Sequence, residues 1–574
     1  MSDDKLQFLT DAFNSDGYNI YKAVNHENKV GITATHCTAC INGNPEKMKK
    51  IYYLEGSHWQ MGYLLGLMAE DEIFQMTTSF VNNMIWELIF WHPRKSVDTP
   101  DPNEQNIVNL IKGGVGNLIA DLISQFSEVI SADIPQEYLE EMDGILEGCH
   151  AVNPQTKVNK EDLWVLNFGI DWFLANIYSG LKKNKKLTKA IKKGTVKVNP
   201  PLMCNGFSLF KEAADGGHYF GRDFMFPTAG IFEKTVCMIV YNPNNTGAKI
   251  RFPFVSVTAP GLIGCISGMN IKGIGIGVEI LPSAACDPEH PGFNSLLLNR
   301  YSIETGDTAE SAKNVIVNAK RGVPWIYIIA DGTNDKACVV EAVYSIEHIS
   351  FTEFPPPGLR KGFLFWKPFL PNQKFLNEHQ TAAQENGVMV RWQDYSYDQA
   401  YLEFNRKLFK RFGKTLYPDS FDKKGYINKT FKEKNCPHMY YFSPQRETRI
   451  DMVITTNHFM IPEMRYTAMD PWLAMIFENF NQDSQWRYDA LNEMILDLLE
   501  EASQNGKKGV DYSQAKEILE FISPSGRYPD YYGSSKQVIE GAQSLFDLKN
   551  ITIESHYGYY RDDWVKLSLR KYIK

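Results

Sequence analysis

Along the first 200 residues, apolar positions recur mainly at helical spacing. Met61–Phe80 and Gln105–Phe126 carry them three and four residues apart, which predicts amphipathic helices. Pro135 suits the first turn of a further helix running through Tyr138–Glu147. Beyond residue 203 the period shortens. Cys204–Phe210, Gly217–Arg222, Thr235–Tyr241, Ile250–Thr258, Gly273–Leu281 and Trp325–Ala330 are short β-rich runs bounded by Gly, Pro, Asn or Asp, and they predict strands. Cys338–Val343 and Met452–Thr456 read the same way. Helices are expected at Thr308–Ala319, capped by Asp307 or Thr308, and at Asp483–Ser503. Phe351–Lys434, rich in Pro, Lys and aromatic residues, has no readable period, and no internal repeat is evident.

Leu181–Val198 separates the two textures with eight lysines and no acid. Like charges at that density repel and stay solvated, so this reads as an exposed linker. The chain divides into a helix-rich part (1–180), a Lys-rich linker (181–203) and a strand-dense remainder (204–574), an α+β organisation. The 574 residues are 43% hydrophobic and 22% charged, ordinary values for a folded protein. A net charge of −8 excludes a globally basic nucleic-acid binder, and no aromatic residue interleaves the lysines to make a nucleic-acid arm. No uninterrupted apolar run reaches membrane-spanning length. The acidic start, Met1-Ser2-Asp3-Asp4, is not a signal peptide, so a cytoplasmic location is expected from the sequence as given. A trimmed leader would look the same, which leaves a secreted or lysosome-like location open. Nine cysteines are too dilute for a disulfide framework. The sequons at Asn244, Asn428 and Asn550 are no more than chance supplies.

Candidate chemistry concentrates at the boundary. Met203-Cys204-Asn205-Gly206-Phe207 begins one strand, and Gly221-Arg222-Asp223 ends the next, so a hairpin would bring Cys204 towards Arg222. Taken alone, a single cysteine is most often a buried structural thiol. Two other patterns carry less. His36-Cys37-Thr38-Ala39-Cys40 is half of a zinc site without a second pair. Gly273-Ile274-Gly275-Ile276-Gly277 lacks the phosphate-cradling spacing, and its alternation suits a strand.

Taken together, these segments resemble the N-terminal-nucleophile cysteine hydrolases related to penicillin acyltransferase, the peptidase C45 group, with choloylglycine hydrolase and acid ceramidase more distant. The front part contributes Leu54-Glu55-Gly56-Ser57, Met61-Gly62-Tyr63, Gly66 and Tyr138–Ile145. After the linker come Cys204–Phe207, Gly221-Arg222-Asp223, Gly268-Met269-Asn270-Ile271, Leu296–Glu304 and Thr308–Ala312. Ile329–Gly332, Val340-Glu341-Ala342, Thr456-Asn457-His458-Phe459 and Ser484–Tyr488 follow in the same order.

The resemblance implies an αββα sandwich, two antiparallel sheets between helical layers, and self-cleavage between Met203 and Cys204. Its physical logic is general. A thiol is a strong nucleophile but mostly protonated at pH 7, and a terminal α-amine on the same residue can serve as its base. By resemblance, Cys204 is the nucleophile, Arg222 the cation near it, Asn457 the oxyanion asparagine whose amide N–H faces the tetrahedral intermediate, and Arg487 a pocket-rim arginine. The family usually places an aspartate three residues after the arginine, where this chain has Met225, so either Asp223 takes that role or the amine is held differently. Glu279 stands where Asn is frequent, and a glutamate there is implied to act in processing or as an amine partner. Asn270 and a Cys204–His458 dyad are further candidates.

The expected activity is cleavage of linear non-peptide amides through an acyl-thioester on Cys204, with hydrolysis or acyl transfer to follow. The partners are an acyl-amide substrate with an apolar acyl group and the chain's own N-terminal fragment; a homo-oligomer stays open. No metal or cofactor is required. The alternatives are a phospholipase B-like lipid ester hydrolase on the same fold, or a binding protein without activity.

Overall fold

The structure is a computed structural model. It describes residues 2–36, 49–81, 127–183, 203–225, 231–245, 250–283, 285–344, 387–397, 399, 402, 446, 449–461, 464, 478–522, 538–559 and 564–573. The expected helix at 105–126, residues 37–48 with Cys37 and Cys40, linker residues 184–202, the Asn428 sequon and most of 351–434 lie outside these.

The chain opens with helix α1 (Ser2–Ser15) and three strands, β1 (Asn19–His26), β2 (Lys29–His36) and β3 (Lys49–Gly56). Helix α2 (His58–Phe74) follows. Ser57 caps it with a capping box to Gln60, and it runs into a π-helical turn, Gln75–Phe80. A short helical turn, Ser127–Ser131, and helices α3 (Gln136–Val152) and α4 (Lys160–Lys183) follow in the front part. Gly62 and Gly66 of α2 lie against the backbone of α3, and Gly144 and Gly148 of α3 lie against α2. A Cβ at any of these four would fall within 2.3 Å of a carbonyl oxygen, so the two helices cross at backbone contact.

After residue 203 the strands are β4 (Met203–Phe210), β5 (His218–Met225), β6 (Cys237–Pro243), β7 (Phe254–Thr258), β8 (Ser267–Asn270), β9 (Ile274–Ile280), β10 (Trp325–Asp331), β11 (Lys336–Ala342) and β12 (Val388–Trp392). β13 (Met452–Thr456), β14 (Val538–Asp547), β15 (Thr552–Tyr559) and β16 (Val565–Ser568) complete the set. Between them run α5 (Ser295–Thr305), α6 (Ala309–Asn318, capped by Thr308), α7 (Glu478–Gln504) and α8 (Tyr512–Ile522).

Two sheets result, a ten-stranded one ordered β1-β2-β3-β6-β7-β8-β9-β10-β11-β12 and a six-stranded one ordered β13-β4-β5-β14-β15-β16. The fold class is α+β. Pairing is antiparallel throughout, as expected, except that β3 runs parallel to β6. That pair joins the front part to the rest, for β1–β3 belong to residues expected to be helical. β3 is buried on both faces, which hides its alternation, while β1 is an edge strand with one face exposed.

The sheets face one another, and alternation along β4 sorts the side chains. Phe207 and Leu209 turn outward to an apolar cluster with Tyr488, Leu491 and Ile495 of α7 and Ile518 and Leu519 of α8. Cys204, Gly206 and Ser208 turn inward, towards the ten-stranded sheet.

Candidate active site

The expected hairpin forms. In the β4–β5 register Cys204 lies opposite Phe224, Asn205 opposite Asp223 and Gly206 opposite Arg222. Cys204 and Arg222 therefore share the inner face.

On its other edge β4 pairs with β13, but that ladder stops at Thr456–Asn205. The Thr456 carbonyl accepts from His458 N–H at 3.0 Å, a tight turn that bends the chain at Asn457. Side chains then replace the next ladder step. Asn457 Oδ1 accepts the Cys204 backbone N–H at 2.6 Å, and Arg487 Nη1 donates to the Cys204 carbonyl. Arg487 Nη2 also donates to Asn457 Oδ1 at 2.9 Å, while Asn457 Nδ2 donates to the Ile280 carbonyl at 2.7 Å. Two donors at one end of the amide and an acceptor at the other fix its orientation. One Asn457 amide hydrogen is thus committed to Ile280, leaving one for the oxyanion role the resemblance implies.

Between the sheets, two glycines make room for two ionisable side chains. Arg222 inserts over Gly277 of β9, where a Cβ would lie 2.4 Å from its Nε. Glu279, two residues further along β9, inserts over Gly206, where a Cβ would lie 3.2 Å from its Oε1. Of the glycines of 273–277, Gly277 allows the approach of Arg222, while Gly275 lies against Phe220. Arg222 Nη1 donates to the carbonyls of Asn205 (2.9 Å) and Asp223, but its Nε and Nη2 lack hydrogen-bond partners. Neither Glu279 oxygen has a partner at full hydrogen-bond geometry, the Thr455 hydroxyl being the polar neighbour that favours its charged form, and the Arg222–Glu279 separation is 3.8 Å. Both side chains are fully buried.

Burial dominates the electrostatics. It raises the Glu279 carboxyl to about 8 against the opposing pull of Arg222, Arg487 and Arg391. It also pushes the Cys204 thiol up, with Arg222 pulling down and Glu279 pushing up. A buried carboxyl poised near neutrality beside a thiol is the kind of group that exchanges protons.

Three candidates stand apart from this cluster. Asp223 lies on the outer face in a row with Asn205 and Gln543, its Oδ2 3.4 Å from Asn205 Nδ2, and burial raises it to about 7. Strand alternation places its carboxyl on the face opposite to the thiol, the same face as Met225, where the family's aspartate would stand. Asn270 is a turn residue. Its Nδ2 donates to the Ile303 and Gly306 carbonyls and its Oδ1 accepts from Lys272 and Ile274 N–H, which fills its capacity. His458 directs Nδ1 to Ser484 Oγ (2.8 Å) and Thr456 Oγ1 (3.1 Å), on the α7 side of the sheet, rather than to Cys204.

One arrangement was not foreseen. Ser208 Oγ and His218 Nε2 are 2.8 Å apart, and His218 Nδ1 is 3.4 Å from Asp335 Oδ1. Ser208 and His218 are fully buried, and Phe210 stacks on the imidazole at 4.8 Å. With no surface open to a substrate, this links strand core to turn. Arg391 was also missed, in a stretch with no periodic signal. Among the described residues no group of three or more His, Cys, Asp or Glu is arranged to hold a metal ion, and no helix is long and apolar enough to cross a membrane.

No family model matches the chain. It is similar to an uncharacterized protein of Archaeoglobus fulgidus, 26% identical over 526 residues, a match spanning 91% of this chain and 66% of that protein, just under two thirds. Among solved structures it is similar to a mutant conjugated bile acid hydrolase from Clostridium perfringens, at 13% identity and a TM-score of 0.31 over 64% of this chain and 93% of that one. Penicillin V acylase from Agrobacterium tumefaciens gives 10% identity and a TM-score of 0.31 over 65% and 88%. The Caenorhabditis elegans N-acylethanolamine-hydrolyzing acid amidase ortholog gives 12% and 0.20 over 24% and 59%. At such TM-scores the likeness carries no part of the reading below.

Proposed function

We propose that the protein is an N-terminal-nucleophile cysteine hydrolase of αββα layering that splits its own chain between Met203 and Cys204 and then cleaves linear amides with an apolar acyl group. The observation that carries the reading is the treatment of Cys204. Its backbone N–H and carbonyl are gripped by Asn457 and Arg487 where a strand partner should be, and its side chain shares a face with the unsatisfied Arg222–Glu279 pair. A structural cysteine needs neither.

In the splitting step, Sγ adds to the Met203 carbonyl carbon and the C–N bond breaks. The thiol proton ends on the Cys204 nitrogen, with Glu279 as the carboxyl that relays it. Water then hydrolyses the Met203 thioester. In turnover the freed α-amine, held through Asn457 Oδ1, takes the thiol proton as sulfur adds to the substrate carbonyl, and passes it to the leaving amine. Water or an acceptor amine releases the acyl group. The second Asn457 amide hydrogen and the fixed charges nearby stabilise the oxyanion.

Intact mass spectrometry tests this. Scission after residue 203 of 574 divides 65.6 kDa into about 23 and about 42 kDa. Cys204→Ala is expected to stay whole; the same split in that variant refutes self-processing. Amide and ester analogues with equal acyl chains then distinguish an amidase from a lipid esterase.

A further inference from the structure

The bend that carries Asn457 lies at the edge of the sandwich, where β13 of one sheet faces β11 and β12 of the other. Two buried ionic side chains from the ten-stranded sheet grip it from either side. Arg391 of β12 donates through Nη2 to the Ile454 carbonyl at 2.6 Å, three residues before Asn457. Glu341 of β11 accepts from the backbone N–H of Met460 at 2.8 Å and of Ile461 at 3.2 Å, three and four residues after it. Val339 pairs with Arg391 across β11–β12, and Glu341 lies two residues from Val339, so both grips project from one face. Arg391 and Glu341 are 3% and 1% exposed, so water does not compete for these bonds.

We infer that Arg391 and Glu341 are positioning residues that hold the segment Ile454–Ile461 so that Asn457 reaches the Cys204 nitrogen. The ladder of β13 ends one residue before Asn457, so strand pairing with β4 no longer constrains the bend. Ions on both sides supply what pairing does not, and they bind backbone atoms, which makes the hold independent of the gripped side chains. This rests on the proposed role of Cys204 for its catalytic meaning, but the hold itself can be measured without activity.

Two measurements test it. The first is hydrogen exchange in the unsplit Cys204→Ala protein, where residue 204 keeps its amide. Adding Glu341→Ala is expected to speed exchange at Met460 and Ile461 and, through Asn457, at residue 204 by about tenfold or more. A residue 204 amide as protected as before overturns the inference. The second is the rate of self-splitting in Glu341→Ala, Asn457→Ala and the double variant of the otherwise native chain. If Glu341 acts through Asn457, the double variant splits no slower than Asn457→Ala alone, and Glu341→Gln, which keeps one acceptor oxygen, recovers most of the rate. Losses that multiply show independent roles and overturn it. Should Glu341→Ala fail to fold, Arg391→Met, which removes the donor to the Ile454 carbonyl, carries the same comparison with Asn457→Ala. A native chain that never splits refutes the proposed function, while the exchange measurement still decides the positioning.

Discussion

Two fully buried arginines meet carboxylates in this molecule, with opposite results. Arg300 of α5 makes a bidentate pair with Glu141 of α3 at 2.8 and 2.6 Å and donates to the Ile263 carbonyl at 2.8 Å. Its guanidinium lies over the Tyr241 ring at 4.3 Å. Glu304 beside it receives His58 at 3.0 Å and the Tyr138 hydroxyl at 2.8 Å. Burial alone would raise Glu304, but His58 and Arg300 outweigh it and bring it down to about 2. In the Arg222 cluster the arginine stands 3.8 Å from Glu279 without a hydrogen bond, and burial wins, at about 8. Glu304 and Glu279 each stand 3.8 Å from their arginine, but Glu304 is also hydrogen-bonded by His58 and Tyr138 and is held ionised, whereas Glu279 lacks such partners and is left titratable. The Arg300 network joins helices from before residue 203 to one after it, a structural task. The Arg222 pair sits beside Cys204.

Substitutions at matched positions should separate these tasks. The largest effect is expected for Glu141→Gln, which removes the bidentate partner of Arg300 and leaves it Glu304 at 3.8 Å. Breaking one partner of a buried pair costs about 3–5 kcal/mol, read from the urea midpoint. Glu279→Gln at pH 4, where the carboxyl it replaces is protonated in the folded and the unfolded chain alike, should change stability by less than about 0.5 kcal/mol. Equal losses would erase the distinction.

Next comes Gly277→Ala, which drives a methyl into Arg222. Overpacking of this kind costs about 1–3 kcal/mol, and self-splitting should slow as Arg222 shifts. Gly206→Ala, with its nearest contact at 3.2 Å, should be milder. The reverse ranking would mean that the sheets do not fit around Arg222 as described.

A further effect is expected in the pH dependence of stability. Glu279 binds a proton more tightly folded than unfolded, so its contribution is complete below about pH 4.5 and is lost as pH rises towards about 8. Glu304 is the reverse, its contribution present above about pH 4.5 and lost as pH falls towards about 2. Urea unfolding at pH 5 and pH 8 should therefore show a shallower alkaline decline in Glu279→Gln than in the native chain, whereas their acid limbs should coincide. Parallel alkaline limbs would show that Glu279 is already ionised.

Much of the site can be read along the chain because its parts are local. Cys204 begins a strand and Arg222 ends the next, so one hairpin brings them together. The Met452–Thr456 strand was legible residue for residue and delivers Asn457 at its end. The front strand β3 was not legible, since a strand buried on both faces lacks the alternation that reveals strands. The face that Asp223 takes follows from register. Only after β4 is paired with β5 is it evident which face each residue takes.

The sequence by itself determined the strand-dense second part, the hairpin, the capped helices and the placement of Cys204, Arg222, Glu279 and Asn457 in elements, because those depend on residues a few positions apart. Tertiary structure alone decided that Glu279 lies over Gly206 and Arg222 over Gly277, and that Arg391 and Glu341 bracket Asn457. These contacts join segments dozens to hundreds of residues apart, and the charge state of each group depends on how much water and how many partners the fold leaves it.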